Sequence, residues 1–159
     1  MDKPATPPGV IEARQLPRLL QQRMPAEFAD ANGHINVRNY LALHDDAGWE
    51  FFARMGADVD YLETNGCGFF DAECHLSYQA EVLVGAHVSV HGRVIGRSEK
   101  AFHGLWFLVD DDHDRIANTY EVITVFVDLE GRRPAAMPAE LAAPIHDLAR
   151  AQPPHWWDA

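Results

Sequence analysis

The hydrophobic period of the chain changes once, and that change limits the fold more than any other feature. Between Asn36 and Gly56 the apolar spacing is helical: Tyr40, Leu43, His44, Ala47, Phe51 and Met55 fall on one side, and Arg38, Asp45, Asp46 and Arg54 lie away from it. Asn36 is a good N-cap, and Gly56 stands where a left-handed C-terminal cap belongs. One long helix of about five turns is predicted. Beyond it the period is two, and residues 67–78, 87–95, 101–109 and 116–127 are predicted strands, with an earlier one over 19–28. Within the second of these, Val88, Val90 and Val94 should face inward and His87, Ser89, His91 and Arg93 outward.

Turn chemistry separates these segments at Val84-Gly85, Gly96-Arg97-Ser98, Asp110-Asp111-Asp112 and Asp128-Leu129-Glu130-Gly131. Strands joined by such short turns must be antiparallel, because a parallel return needs a dozen residues or more. The expected fold class is therefore α+β, one antiparallel sheet with a long helix on one face. No second long helix is available to cover the other face, which is left to solvent or to a second copy of the chain. The expected organisation is a frayed N-terminal segment over 1–16, one domain over 17–142, and a short helix with a Pro/Trp tail over 143–159.

Composition limits the function classes. The 159 residues hold 13 Lys+Arg against 24 Asp+Glu, a net charge of −11, which speaks against an extended nucleic-acid or anionic-membrane surface. No apolar run approaches the ~20 residues of a membrane helix, and the N-terminus carries no secretory pattern. Cys67 and Cys74 do not make a zinc spacing, and two buried thiols of a reducing cytoplasm are expected. The nine histidines are scattered; His87 and His91 on one strand would stand about 13 Å apart, too far to share an ion. Neither a metal nor another cofactor is expected. There is no G-x-S-x-G elbow and no phosphate-binding glycine loop.

The chemistry concentrates in Asp30-Ala31-Asn32-Gly33-His34-Ile35-Asn36, at the mouth of the predicted helix. Its first N–H groups lack internal partners and carry the positive end of the dipole, Gly33 permits close backbone approach to a ligand oxygen, and Asp30 can serve as base or nucleophile. Such a constellation suits acyl transfer, in which donors aimed at a developing oxyanion stabilise the transition state. Asn-Gly is equally a common tight turn, and Asp30 or Asn36 could merely cap the helix.

The full pattern Asp-x-x-Gly-His-(apolar)-Asn-x-x-x-Tyr-Leu is carried by Asp30, Gly33, His34, Ile35, Asn36, Tyr40 and Leu41. It resembles the signature of hotdog-fold acyl-CoA thioesterases of the 4-hydroxybenzoyl-CoA thioesterase type. The resemblance continues through His75-Leu76-Ser77-Tyr78-Gln79-Ala80-Glu81-Val82 and ends with Phe126-Val127-Asp128 and Gly131-Arg132-Arg133-Pro134, covering roughly residues 17 to 142. It is nearest to the thioesterases linked to carnitine and betaine metabolism. A cytoplasmic location is expected from the N-terminus and the cysteines alone. The resemblance implies a hotdog fold, a curved antiparallel sheet wrapped around one long helix, and a homodimer or dimer of dimers with an acyl-CoA substrate. It implies that Asp30 is nucleophile or base, that N–H groups near Gly33 and His34 polarise the thioester carbonyl, that Asn36 positions carbonyl or water, and that Tyr40 lines the acyl pocket. Glu73 is carried as a second carboxylate, with His75 on its face. The phosphates of CoA would need local positive charge, for which Arg97-Ser98-Glu99-Lys100 is the natural place, with Ser98 and Lys100 as companions of Arg97. A non-catalytic acyl-CoA-binding module and a hotdog hydratase are the alternatives. The hydratase pattern has Pro and a spaced His where this chain has Gly33-His34.

Overall fold

The computed structural model describes residues 9–150, with side chains to residue 148. In chain order its elements are α1 (Val10–Arg14), β1 (Arg18–Arg23), a 3-10 turn (Ala26–Phe28), α2 (Val37–Arg54), α3 (Val59–Asn65), β2 (Cys67–Tyr78), β3 (His87–Arg97), β4 (Ala101–Asp110), β5 (Arg115–Asp128), β6 (Arg133–Pro134) and α4 (Ala139–Arg150). The strands form one sheet in the order β1-β3-β4-β5-β2, with β6 beside β5, and every pairing is antiparallel.

The expected long helix is present with both expected ends. The Asn36 side chain accepts from the Arg38 N–H at 3.2 Å, and Gly56 adopts φ +84°. Its apolar stripe is the core: Tyr40, Leu43, Ala47, Phe51 and Met55 are all buried. The Leu43, Phe51 and Met55 side chains each contribute roughly 1.5–3 kcal/mol by leaving water. The sheet curves around this stripe. Register shifts interrupt the β1–β3, β2–β5, β3–β4 and β4–β5 pairings, and such bulges bend a sheet and increase its twist. Gly92 allows the tightest approach, since a Cβ there would lie 1.8 Å from the Trp106 ring that covers it. The fold is the curved antiparallel sheet on one long helix expected from the sequence.

Four local expectations need correction. The first strand ends at Arg23, and the remainder of 19–28 is Met24, Pro25 and the 3-10 turn. Ser89, His91 and Arg93 point away from α2 but are buried, because residues 10–16 cross that face. His91 Nδ1 donates to the Leu16 carbonyl at 3.1 Å, Arg14 pairs with Asp111 and Asp114, and Ala13 packs on Leu105, Phe107 and Val109. The outer face is thus covered over β3 and β4 by the chain's own N-terminal segment, while the β5–β2 half keeps Phe70 half exposed. α3 was not anticipated, although Asp58 caps its start and Gly66 its end. Cys67 is buried as expected, but Cys74 lies exposed on the edge strand β2. The Trp156-Trp157 tail lies outside the described residues.

Candidate active site

The Asp30 turn is built by backbone hydrogen bonds and then stapled to the body at one residue. Asp30 N–H donates to the His34 carbonyl at 3.0 Å, and Gly33 N–H to the Asp30 carbonyl at 3.1 Å. Gly33 closes this turn at φ +86°, where a side chain would be strained. Ile35, fully buried, donates to the Val82 carbonyl at 2.9 Å, and Asn36 N–H reaches the Phe28 carbonyl at 2.7 Å. The same Phe28 carbonyl accepts from the Asn39 amide at 3.0 Å. The start of α2 is therefore held against the loop over 79–86.

Asp30 is partly sheltered, and one of its oxygens is fixed: Oδ1 accepts from the Asn32 N–H at 2.8 Å. Its Oδ2 lies 3.6 Å from His34 Nδ1. That nitrogen is 3.0 Å from the Ile35 carbonyl, which can only accept, so Nδ1 carries a proton. Among the described residues no acceptor takes the His34 backbone N–H. Tyr40, one turn into α2, accepts from the Val82 N–H at 3.1 Å and packs edge-on to Tyr78 at 5.1 Å. Burial pushes the Tyr40 hydroxyl above its ordinary range, so it stays protonated and able to donate. Asp30, Gly33, His34, Asn36 and Tyr40 are brought together around one helix end.

Glu73 and His75 are elsewhere. The β2–β5 pairing shifts between Asp71 and Glu73, leaving Ala72 as the extra residue. Asp71 sits opposite Thr124 on the face that meets α2, whereas Glu73 sits opposite Ile123 on the outer face. There Glu73 accepts from His75 Nε2 at 3.0 Å, both side chains being more than half exposed. Arg97, Ser98 and Lys100 form the β3–β4 hairpin. Ser98 Oγ accepts from the Lys100 and Ala101 N–H groups, and Arg97 Nε donates to His146 Nδ1 at 3.3 Å. This hairpin stands a full strand, about 35 Å at roughly 3.3 Å per residue, from the end of β3 nearest Asp30.

A second polar group, for which no sequence pattern exists, lies deeper along α2. Asp71 accepts from the Tyr120 hydroxyl and from Thr124 Oγ1, each at 2.7 Å. Burial and the Asp71 bond both push the Tyr120 hydroxyl upward. Tyr120 stacks on His44 at 5.0 Å, and His44 Nε2 donates to Asn118 Oδ1 at 2.6 Å. Burial drives the His44 imidazole down to about 4, so it is neutral at pH 7. Asp45 is raised by burial and by the neighbouring charges of Asp46 and Asp71.

Residues 24–145 match the model of the Thioesterase-like superfamily. A betainyl-CoA thioesterase of Pseudomonas aeruginosa is 30% identical over 125 residues, which cover 79% of each chain. An L-carnitine dehydrogenase/betainyl-CoA thioesterase of Ruegeria pomeroyi is 29% identical over 136 residues, 84% of this chain and 27% of the relative. The chain thus spans about a quarter of that larger protein. A Staphylococcus aureus protein solved in complex with CoA superposes with a TM-score of 0.82 at 24% identity, covering 88% of this chain and 89% of that one.

Proposed function

The chain belongs to the Thioesterase-like superfamily, and from that premise we propose that it hydrolyses an acyl-CoA thioester to a carboxylate and CoA at the Asp30 turn. The resemblance read from the sequence, nearest to the carnitine- and betaine-linked thioesterases, agrees with the relatives found. Asp30 Oδ2 takes a proton from water, the water oxygen attacks the thioester carbonyl, and the oxyanion collapses to expel the CoA thiolate. The thiolate recovers the proton. One observation carries this reading: a carboxylate with one oxygen pinned by Asn32 and the other 3.6 Å from His34 Nδ1 stands beside the His34 N–H, which has no acceptor among the described residues, at the start of an 18-residue helix. The His34 N–H and the helix dipole supply the oxyanion donors, while the Gly33 N–H is taken up inside the turn. Asn36 holds the helix start with its Oδ1, and the Tyr40 and Tyr78 rings border the acyl group. Glu73, on the outer face, is no part of this chemistry in its own chain.

Two copies joined along β2 complete the site. β2 is a sheet edge, and its middle residues, 70–75, are all exposed in the single chain, which is the kind of edge that natural sheets cover. The betainyl thioester hydrolysed by the named relatives is the first acyl group to try, because a quaternary ammonium is held by tyrosine faces. The test is thiol release from a panel of betainyl-, aryl- and straight-chain acyl-CoAs, wild type beside Asp30→Asn. Release that depends on Asp30 supports the proposal. Acyl-CoA binding without release from any member of the panel overturns it in favour of a binding module.

A further inference from the structure

One peptide group connects a charge pair at the β4–β5 turn, a fully buried Asp110 with a partly exposed Arg115, to the Asp30 turn. The amide between Glu81 and Val82 is held at both ends. The Arg115 guanidinium donates to the Glu81 carbonyl at 2.9 Å, and the Val82 N–H donates to the Tyr40 hydroxyl oxygen at 3.1 Å. The peptide is planar, so fixing its carbonyl fixes the direction in which its N–H points. A cation on the carbonyl also polarises the amide and makes the N–H a stronger donor. At the next carbonyl, that of Val82, the buried Ile35 N–H donates at 2.9 Å, and Ile35 adjoins the His34 carbonyl that closes the turn on Asp30.

Arg115 is itself set from behind. Its Nε and a terminal nitrogen lie 3.2 and 3.1 Å from Oδ2 of Asp110, a carboxylate with no exposed surface that also accepts from His113 Nδ1 at 2.8 Å. This use of the planar fork, with a carboxylate on one edge and a backbone carbonyl beyond it, is available to arginine and not to the single ammonium of lysine. Backbone bonds at Gly85 and Ala86 tie the far end of this loop to Met24 and not to β5. The N–H groups of Gln79 and Ala80 both reach the Ala117 carbonyl, but the next tie from this loop to β5 is Arg115.

We propose that Arg115 is a positioning residue for the hydrolysis assigned to the Asp30 turn: through the Glu81–Val82 peptide it sets Tyr40 and holds the turn against the sheet. The catalytic consequence rests on the function proposed above; the mechanical consequence rests on these hydrogen bonds alone. Arg115→Lys keeps a cation beside Asp110 and loses the fork. It should lower kcat about tenfold, the scale expected of a small misplacement of reacting groups, while KM stays within about twofold. Amide exchange at Ile35 and Val82 should rise about fivefold, with Leu108 on β4 unchanged. Tyr40→Phe, which removes the acceptor of the Val82 N–H, should raise the same two exchange rates, and adding Arg115→Lys to it should add little. If Arg115→Lys does not fold, the Asp110→Asn/Arg115→Gln pair removes both charges together and is measured in the same way. Unchanged exchange at Ile35 and Val82, or a rise in KM with kcat intact, overturns the proposal. A wild type that hydrolyses no acyl-CoA defeats the proposed function, and the exchange rates still decide whether Arg115 holds the turn.

Discussion

The two ends of α2 are held by different forces. At its start, Asp30 and His34 keep part of their surface in water and are placed by hydrogen bonds that each have one donor, one acceptor and one direction. At its end, Phe51 lies against Phe102 and Trp106 at 5.6 and 5.1 Å, and Phe52 stacks on Phe69 at 4.5 Å. There the attraction is spread over many weak contacts and has little direction. A site that must aim a carboxylate and an N–H at one carbon needs the first kind of construction, and a domain that must stay folded needs the second. A substitution at the start of the helix should therefore lose activity and keep the fold, and one at the end should do the reverse.

The largest effect is expected at Asp30. Asp30→Asn removes the base and should lower kcat by about 10⁴-fold, roughly 5 kcal/mol, with the thermal midpoint nearly unchanged. Glu73→Gln, on the outer face, should change kcat by less than about threefold. Equal losses in the two variants would break the comparison and place Glu73 in a site completed across two copies.

Phe51→Ala is the matching break at the other end. It should cost about 3–5 kcal/mol in urea unfolding, because it deletes a buried ring beside a cavity of 390 Å³ that Phe51 already lines with Met55 and Leu148. Phe51→Leu, which keeps most of the volume, should cost less than about 2 kcal/mol. The protein that remains folded should keep its kcat.

Midway along the helix, His44 belongs to both constructions. It is buried, and its folded value of about 4 lies below the ordinary 6.5, so the unfolded chain binds a proton that the folded chain refuses. Its contribution is whole above pH 6.5 and is lost as the pH falls from 6.5 to about 4. The loss is about 3 kcal/mol from this residue. Unfolding midpoints measured across that window should fall steeply in the wild type and less steeply in His44→Gln. Parallel slopes would remove His44 as the cause.

A smaller effect is expected at Gly33. A Cβ there meets nothing within 4 Å, so Gly33→Ala suffers only from its positive φ, about 1–2 kcal/mol, and Gly33→Asn, whose side chain tolerates that conformation, should cost less. Activity should follow the same order, since the turn places Asp30.

Much of this was legible in the sequence because it is local. The caps Asn36 and Gly56, the stripe from Tyr40 to Met55 and the contiguous Asp30 turn are all written within a few residues of one another. Alternation gave the faces of β3 correctly but not their burial, because what covers Ser89 and His91 is a segment more than seventy positions earlier. Glu73 shows a different failure. Strict alternation from Asp71 would put it on the α2 face, and the extra residue Ala72 turns it outward. A bulge is a property of two paired strands, and one strand's sequence does not announce it. Asp71 with Tyr120 and Thr124, and Arg115 with Glu81, were invisible for the same reason: the partners lie dozens of residues apart and share no periodic pattern.

The smallest expected effect concerns charge at the β3–β4 hairpin. Arg97 and Lys100 lie a strand's length from the Asp30 turn of their own chain, several times the ~8 Å over which salt leaves an exposed charge effective. They can help to hold CoA phosphates only if a second copy brings its hairpin near the first copy's turn. In that arrangement the joint reversal Arg97→Glu/Lys100→Glu should raise KM for acyl-CoA about threefold to fivefold, the scale of exposed ion pairs, and the rise should vanish in high salt. A short acyl thioester that lacks the nucleotide should not respond. Equal responses from the two substrates would show that the hairpin acts on the fold and not on the phosphates. No response from either would leave the phosphates to other residues, and the directional hydrogen bonds around Asp30 and Tyr40 would then be the main determinants of both KM and kcat.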